Sequence, residues 1–148
     1  MKLKKAQQKI TTKTYFSKNV AWLRPFFNSA DGLIPLEKIT SVKGYAIPLD
    51  KSIQSYANIY RTRGKFKITL NIKENDVLLE TQLPKYLGLV LEDFAHELAH
   101  SHKDGWDHDY KHFALTAKVM LKFCKILKKF NWETDLTINK VEKEAEIE

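Results

Sequence analysis

The segment Phe94-Ala-His-Glu-Leu-Ala-His100 contains the pattern HExxH, whose residue types and spacing suit metal chemistry. On a helix, His96 and His100 are four residues apart, so both imidazoles project from one face and can bind one metal ion. Glu97 lies beside the first of these ligands. There its carboxylate could take a proton from a metal-bound water without binding the metal itself. The motif therefore predicts a zinc site with Glu97 as the catalytic base.

All five histidines of the chain lie within the seventeen residues from 96 to 112. Neither a solvated surface nor an ordinary core explains such clustering, whereas a metal site does. Catalytic zinc usually has three protein ligands and one position open for water. We expect His108 to be the third ligand, because it follows the turn Lys103-Asp-Gly105 and begins the next helix, while His102 is expected at the surface. The alternatives to His108 are His112, Asp104, Asp107 and Asp109.

Other polar residues near the motif have predicted supporting roles. Asp93 and Glu92 lie three and four residues before His96, where a carboxylate could accept a hydrogen bond from a ligand imidazole. A donor for a developing oxyanion or a substrate carbonyl is also needed. The candidates for that donor are Tyr110, His112, Arg61 and Arg63. A zinc ion that only joins two helices is the structural alternative, but such sites normally have four protein ligands and favour cysteine.

One domain is the expected organisation, because 148 residues suffice for one modest core. The single cysteine, Cys124, excludes a disulfide within the chain and a cysteine-rich zinc site, and it favours a reducing compartment. No signal peptide or membrane span is visible in the sequence. We therefore expect a cytoplasmic protein without membrane association.

Positive charge is concentrated in the body of the chain. Residues 1–132 carry 23 basic and 12 acidic side chains, a net charge of +11, whereas residues 133–148 carry six acids and two lysines. This distribution predicts a basic N-terminal arm over residues 1–18, a single folded domain over 19–132 and a charged, flexible tail over 133–148. The basic body could attract nucleic acid, although lysines spread over the whole length also suit a solvated surface.

Alternating and dense apolar residues predict the elements before the motif. Phe66, Ile68, Leu70 and Ile72 alternate with polar residues, which indicates a strand with one buried face. The segment Arg61-Thr-Arg-Gly64 would connect it to a preceding strand in a β-hairpin. The apolar stretch 20–27 is expected to be buried, with any helix in it ending before Pro25.

Two long helices are predicted after the strands, joined by a turn in which Gly105 can adopt a left-handed conformation. The first runs from Lys85 to about His102, with its core face formed by Leu87, Val90 or Leu91, Phe94 and Leu98. The second runs from about Asp109 to Phe130, with its buried face formed by Tyr110, Phe113, Ala117, Met120, Cys124 and Leu127. The predicted fold class is α+β, with a small antiparallel sheet packed on the HExxH helix and on a second long C-terminal helix.

Residues 60–125 resemble the SprT-like and WLM group of small zinc metallopeptidases, distant relatives of the gluzincins. The resemblance rests on a strand of the form I-x-L-N at residues 68–71, the HELAH helix, a short turn, a third histidine and an aromatic residue a turn into the next helix. It implies a minimal zincin-like protease fold with Glu97 as general base. The ligands that it implies are His96, His100 and His108. Some members of the group act on proteins associated with DNA, which would fit the basic body.

The predicted function is therefore that of a zinc metallopeptidase with one Zn²⁺ per chain and a protein or peptide substrate. Glu97 would deprotonate a zinc-bound water and then protonate the leaving amine. The alternative is a catalytically inactive protease-like module that associates with nucleic acid or a protein complex through its basic surface. A third hypothesis is a different metal hydrolase, such as an amidase acting on a small substrate.

Overall fold

The computed structural model describes residues 14–45, 57–72 and 83–131 and confirms the α+β class. The predicted arm up to residue 13 and the predicted tail over 133–148 lie outside these residues. The sheet contains β1 (Tyr15–Phe16), β2 (Ile39–Tyr45), β3 (Ala57–Thr62) and β4 (Lys65–Asn71). The α-helices are α1 (Arg24–Ser29), α2 (Leu83–His100) and α3 (Tyr110–Leu127), and short 3₁₀ helices span Lys18–Leu23 and Leu36–Lys38.

The sheet is mixed, so the prediction of an antiparallel sheet is wrong. Its strand order is β1-β2-β4-β3, in which β1 pairs with β2 and β2 with β4 in parallel, and β3 pairs with β4 antiparallel. Alternation of apolar and polar residues shows which face of a strand is buried, but not the direction of the neighbouring strand. Parallel neighbours need a long connection, and here the chain between β2 and β4 includes β3 itself.

The predicted β-hairpin is confirmed, with a tighter turn than the sequence indicated. Thr62 pairs with Lys65, so only Arg63 and Gly64 connect β3 to β4. Both residues have positive φ, at 53° and 75°, which matches the right-handed twist of the two strands. The four predicted apolar residues Phe66, Ile68, Leu70 and Ile72 are buried, and the polar Asn71 at the end of β4 is buried as well.

The apolar stretch before the sheet is buried as predicted, but its helix is placed differently. The buried residues are Val20, Trp22, Leu23, Phe26 and Phe27. Pro25 does not end a helix. It lies in the first turn of α1, where its missing N–H has no helical partner to lose and its fixed φ suits the helix.

The core side of α2 is formed largely by the predicted residues. Val90, Leu91, Phe94 and Leu98 are buried, and the side chain of Leu87 lies outside those described. The Phe94 ring is stacked between Phe27 of α1 and Phe123 of α3, at centroid distances of 6.4 and 5.8 Å. Phe94 therefore joins the three helices on the side of α2 that faces the core.

The predicted buried face of α3 is wrong. Tyr110 and Phe113 are 77% and 76% exposed, Cys124 is exposed as well, and Met120 and Leu127 are only partly buried. The side chains that α3 buries are His112, Leu115, Val119 and Phe123. The pattern is ambiguous because α3 carries apolar residues on more than one face, and the first residue of the buried stripe is a histidine, which hydropathy counts as polar. Within the described part of the chain, no helix combines the length and the apolar character of a membrane span.

Replacing Phe94 tests the packing of the three helices. We expect Phe94→Ala to lower the free energy of unfolding by about 3–5 kcal/mol, because a fully buried ring leaves a cavity. The matched control is Phe113→Ala on exposed α3 surface, which should change stability by no more than about 0.5 kcal/mol. Urea denaturation measures both, and equal losses in the two variants would contradict this packing.

Candidate metal centre

The last turns of α2 carry the two histidines of the motif. His96 is partly buried and His100 is 6% exposed, and α2 ends at His100. The opposite side of these turns is held in the core by Leu98, which is fully buried. The helix therefore presents both imidazoles from a rigid base, as the four-residue spacing predicts.

The loop after α2 returns at once toward the histidines. Gly105 N donates to the His102 carbonyl at 2.9 Å, which closes the turn. A Cβ at position 105 would collide with the Ala99 carbonyl oxygen and lie 2.9 Å from Leu115 Cδ1. The positive-φ glycines of the described residues are Gly32 and Gly64, so the prediction of a left-handed Gly105 is wrong. Glycine is needed at 105 because the loop packs directly on the backbone of α2.

Trp106 fixes this loop against the sheet, and the sequence did not single it out. Its ring lies 4.1 Å below the Arg61 guanidinium of β3 and 6.2 Å from the Phe66 ring of β4. The same ring contacts His100 edge-on at 6.1 Å. Arg61, a predicted oxyanion donor, is thus stacked on Trp106. The aromatic residue in a loop of polar residues is the signal that could have indicated this contact.

The Gly105 carbonyl determines which nitrogen of His100 faces the site. His100 Nδ1 lies 2.8 Å from this oxygen. A carbonyl can only accept, so Nδ1 carries the proton and donates. In the neutral ring the lone pair is then on Nε2. That lone pair is directed toward His96 and His108.

Three imidazole nitrogens converge beside α2. The Nε2 atoms of His96 and His108 are 3.1 Å apart, and those of His100 lie 3.2 Å from His96 and 3.0 Å from His108. A point 2.0–2.1 Å from all three, the length of a zinc–nitrogen bond, lies roughly 1 Å from the plane of the three atoms. These three residues could therefore hold a metal ion, and they include the third histidine that the sequence favoured.

Burial keeps the imidazoles in the form that binds metal. Burial first, and then the neighbouring histidines, lowers the pKa of His96 to about 4. The pKa of His100 is also lowered by burial, although its hydrogen bond to Gly105 acts in the opposite direction. Both rings are therefore uncharged at neutral pH, and a neutral imidazole is a metal ligand.

Glu97 is a buried carboxylate next to this group. It is 6% exposed, and burial, together with the charge of Asp93, raises its pKa to about 7. A divalent cation bound nearby would act against this shift and favour the carboxylate. The carboxyl group of Glu97 thus lies in an environment that differs from that of a surface glutamate.

Tyr45 lies at the end of β2, and burial, followed by the nearby Tyr60, Asp93 and Glu97, raises the pKa of its phenol. Nothing in the local sequence indicated this position, because only the parallel pairing of β2 with β4 brings Tyr45 beside Asn71. Asp93 therefore acts on Glu97 and Tyr45, and its predicted bond to a ligand imidazole stays a prediction.

The other candidates lie around the three-histidine group. His102 Nδ1 accepts from Asp104 N at 3.0 Å, which turns its ring to the surface side of the loop. Asp109 caps α3 by accepting from Lys111 N and His112 N. Tyr110 is exposed at the start of α3, and Arg63 lies in the hairpin turn. His112 is not part of the group, because its Nε2 lies 3.0 Å from the His96 carbonyl oxygen.

Two cavities reach the histidines from different sides. One, of about 580 Å³, is lined by His100, Trp106 and Arg61 together with residues 31–35, 37 and 38. The other, of about 340 Å³, lies between α2 and α3 and is lined by His96, His108, Glu92 and Phe113. The group is therefore accessible to a ligand larger than water.

No family model matches the chain, and neither a curated protein nor a solved structure shows significant similarity to it. Its function is therefore inferred from the chemistry of its own residues.

The close approach at Gly105 can be tested with a pair of glycine substitutions. We expect Gly105→Ala to lower the free energy of unfolding by about 1–3 kcal/mol, because the added methyl group overpacks the loop, and to weaken zinc binding. Gly88→Ala is the matched control in α2, where a Cβ meets no atom within 4 Å. It should stabilise the protein by about 0.5–1 kcal/mol, since alanine favours helix. Denaturation and zinc titration of both variants measure the effects, and unchanged zinc binding in Gly105→Ala would contradict this role of the loop.

Proposed function

We propose that the protein is a zinc-dependent peptidase with a minimal zincin-like fold. The observation that carries the proposal is the convergence of three imidazole nitrogens, two from an HExxH helix and one from the loop after it, at 3.0–3.2 Å from one another. Three histidine ligands leave a fourth position for water, as catalytic zinc sites do. A purely structural site normally has four protein ligands, and the described residues offer three in this group.

The residues around the group fit the steps of peptide hydrolysis. When bound, zinc supplies Lewis acidity, which lowers the pKa of a coordinated water and polarises a carbonyl. Glu97 takes the proton from the attacking water and passes it to the nitrogen of the leaving amine. Burial supports this role, because it raises the pKa of the Glu97 carboxyl group and so favours its acceptance of a proton.

The roles of Glu97 and His108 can be separated by two substitutions. We expect Glu97→Gln to keep about one zinc per chain and to lose at least ~100-fold in kcat/KM on unfolded protein or fluorogenic peptides, because proton transfer is lost and the ligands remain. His108→Ala should lose zinc as well as activity. Metal analysis and peptide cleavage assays measure both quantities.

His102→Ala is the matched control, since His102 belongs to the same cluster of histidines but lies apart from the metal group. It should retain both zinc and activity. Full activity in Glu97→Gln would refute the peptidase mechanism. Zinc binding without cleavage of any peptide or small amide by the unmodified protein would leave a structural metal site.

A second candidate function, binding of nucleic acid, is favoured by the charge of α3. Residues 110–131 contain six lysines and no acidic residue. Lys118, Lys122 and Lys125 follow one another at helical spacing and line a common cavity with the exposed Leu121. Asp31 is the acidic residue beside them. A row of cations on one side of a helix can follow a phosphate backbone.

Removing these charges tests the second function. We expect the triple variant Lys118→Gln, Lys122→Gln, Lys125→Gln to bind duplex DNA more weakly than the unmodified protein. The slope of log K against log salt should decrease in magnitude by about 2.7 if each lysine contacts one phosphate. Binding titrations at several salt concentrations measure the slope.

The matched control removes three exposed lysines of the sheet, Lys43, Lys65 and Lys67. An equal effect of the two triple variants would show that net charge alone attracts DNA. No salt-dependent binding by the unmodified protein would refute the second function and leave the peptidase proposal untouched.

A further inference from the structure

Hydrogen bonds at the start of α3 fix the backbone of His112. It lies in the first turn of α3 and is 4% exposed. Its backbone N donates to Asp109 Oδ1 at 3.2 Å, and its carbonyl accepts from Thr116 Oγ1 at 2.9 Å. The position of the ring is therefore set by the helix cap that directly follows His108 in sequence.

The ring of His112 touches both helical histidines of the metal group. It is stacked on His100 at a centroid distance of 3.9 Å with 21° between the planes. It meets His96 edge-on at 4.3 Å and 75°. Its Nε2 donates to the His96 carbonyl oxygen at 3.0 Å, because a carbonyl can only accept. The nitrogen that could have bound a metal is thus used to attach α3 to α2.

We propose that His112 is a positioning residue that orients the metal ligands and is not itself a ligand. The stacked ring restricts rotation of the His100 imidazole, and the edge contact restricts that of His96. The hydrogen bond joins α2 to α3 at the turn that carries His108, so the third ligand is positioned by the same residue. The inference rests on the metal site of the proposed function and does not require peptidase activity.

Histidine is the residue type that can both stack on the His100 ring and donate a hydrogen bond to the His96 carbonyl at this position. Phenylalanine could stack on His100 but has no N–H for the His96 carbonyl. Glutamine could donate from a position close to that of Nε2 but has no ring to stack. If the ligand rings could rotate freely, metal binding would have to order them. This entropic cost would lower the affinity for the metal. Residues that orient metal ligands typically change affinity 10–100-fold when they are removed.

The test measures the dissociation constant for zinc by chelator competition on the full chain. We expect His112→Ala to weaken binding by about 10–100-fold, and His112→Phe and His112→Gln to fall between it and the unmodified protein. The visible spectrum of bound Co²⁺ should shift in all three variants, because ligand orientation changes. His112→Phe and His112→Gln still test the proposal if the alanine variant does not fold.

Two controls distinguish positioning from general loss of structure. Val119→Ala removes another buried side chain from the same face of α3, and it should lower stability while leaving zinc affinity and the Co²⁺ spectrum close to those of the unmodified protein. His102→Ala should change neither. The proposal is overturned if Val119→Ala weakens zinc binding as much as His112→Ala, or if all the His112 variants bind zinc within about threefold of the unmodified protein. An unmodified protein that binds no zinc would refute the metal site itself, and with it this role.

Discussion

The hydrogen bond from His100 Nδ1 to the Gly105 carbonyl is the interaction on which the rest of the candidate metal centre depends. At 2.8 Å it sets the tautomer of His100 and attaches the loop to the end of α2. The loop can approach so closely because residue 105 has no Cβ to meet the Ala99 carbonyl. With the loop attached there, His108 Nε2 comes within 3.0 Å of His100 Nε2. One contact thus determines both the direction of a lone pair and the place of the third imidazole.

One side of α2 packs in the core, and the other side carries the histidines of the candidate metal site. On one side, Phe94 packs between aromatic rings of α1 and α3, which fixes the position of the helix. On the other, His96 and His100 face His108, and the buried Glu97 experiences the charge of Asp93. Because the interior is closely packed, a shift of α2 against its neighbours would displace the ligands as well. Stability of the helix packing and geometry of the site are therefore coupled.

Much of the fold follows from local patterns, and the departures have physical causes. The buried side of β4 and the hairpin before it were predictable from alternation and from a glycine in the turn. The direction of β2 was not, since a strand pattern carries no information about its neighbour. Pro25 was placed at the wrong end of a helix because proline is compatible with a first turn as well as with a helix stop. The buried stripe of α3 was missed because it begins with His112, a polar residue with a packing role.

The sequence by itself determined the two helical imidazoles and the glutamate between them, because a four-residue spacing on a helix places side chains on one face regardless of the rest of the chain. Only the tertiary structure decided which of the remaining histidines joins them. His108 and His112 both follow the helical pair closely in sequence, but the loop directs the first toward His96 and His100, while α3 turns the second onto the His96 carbonyl. The structure also brought Tyr45 beside Asn71, through the parallel pairing of β2 with β4. Such contacts depend on how separate elements pack, and spacing within one element cannot specify them.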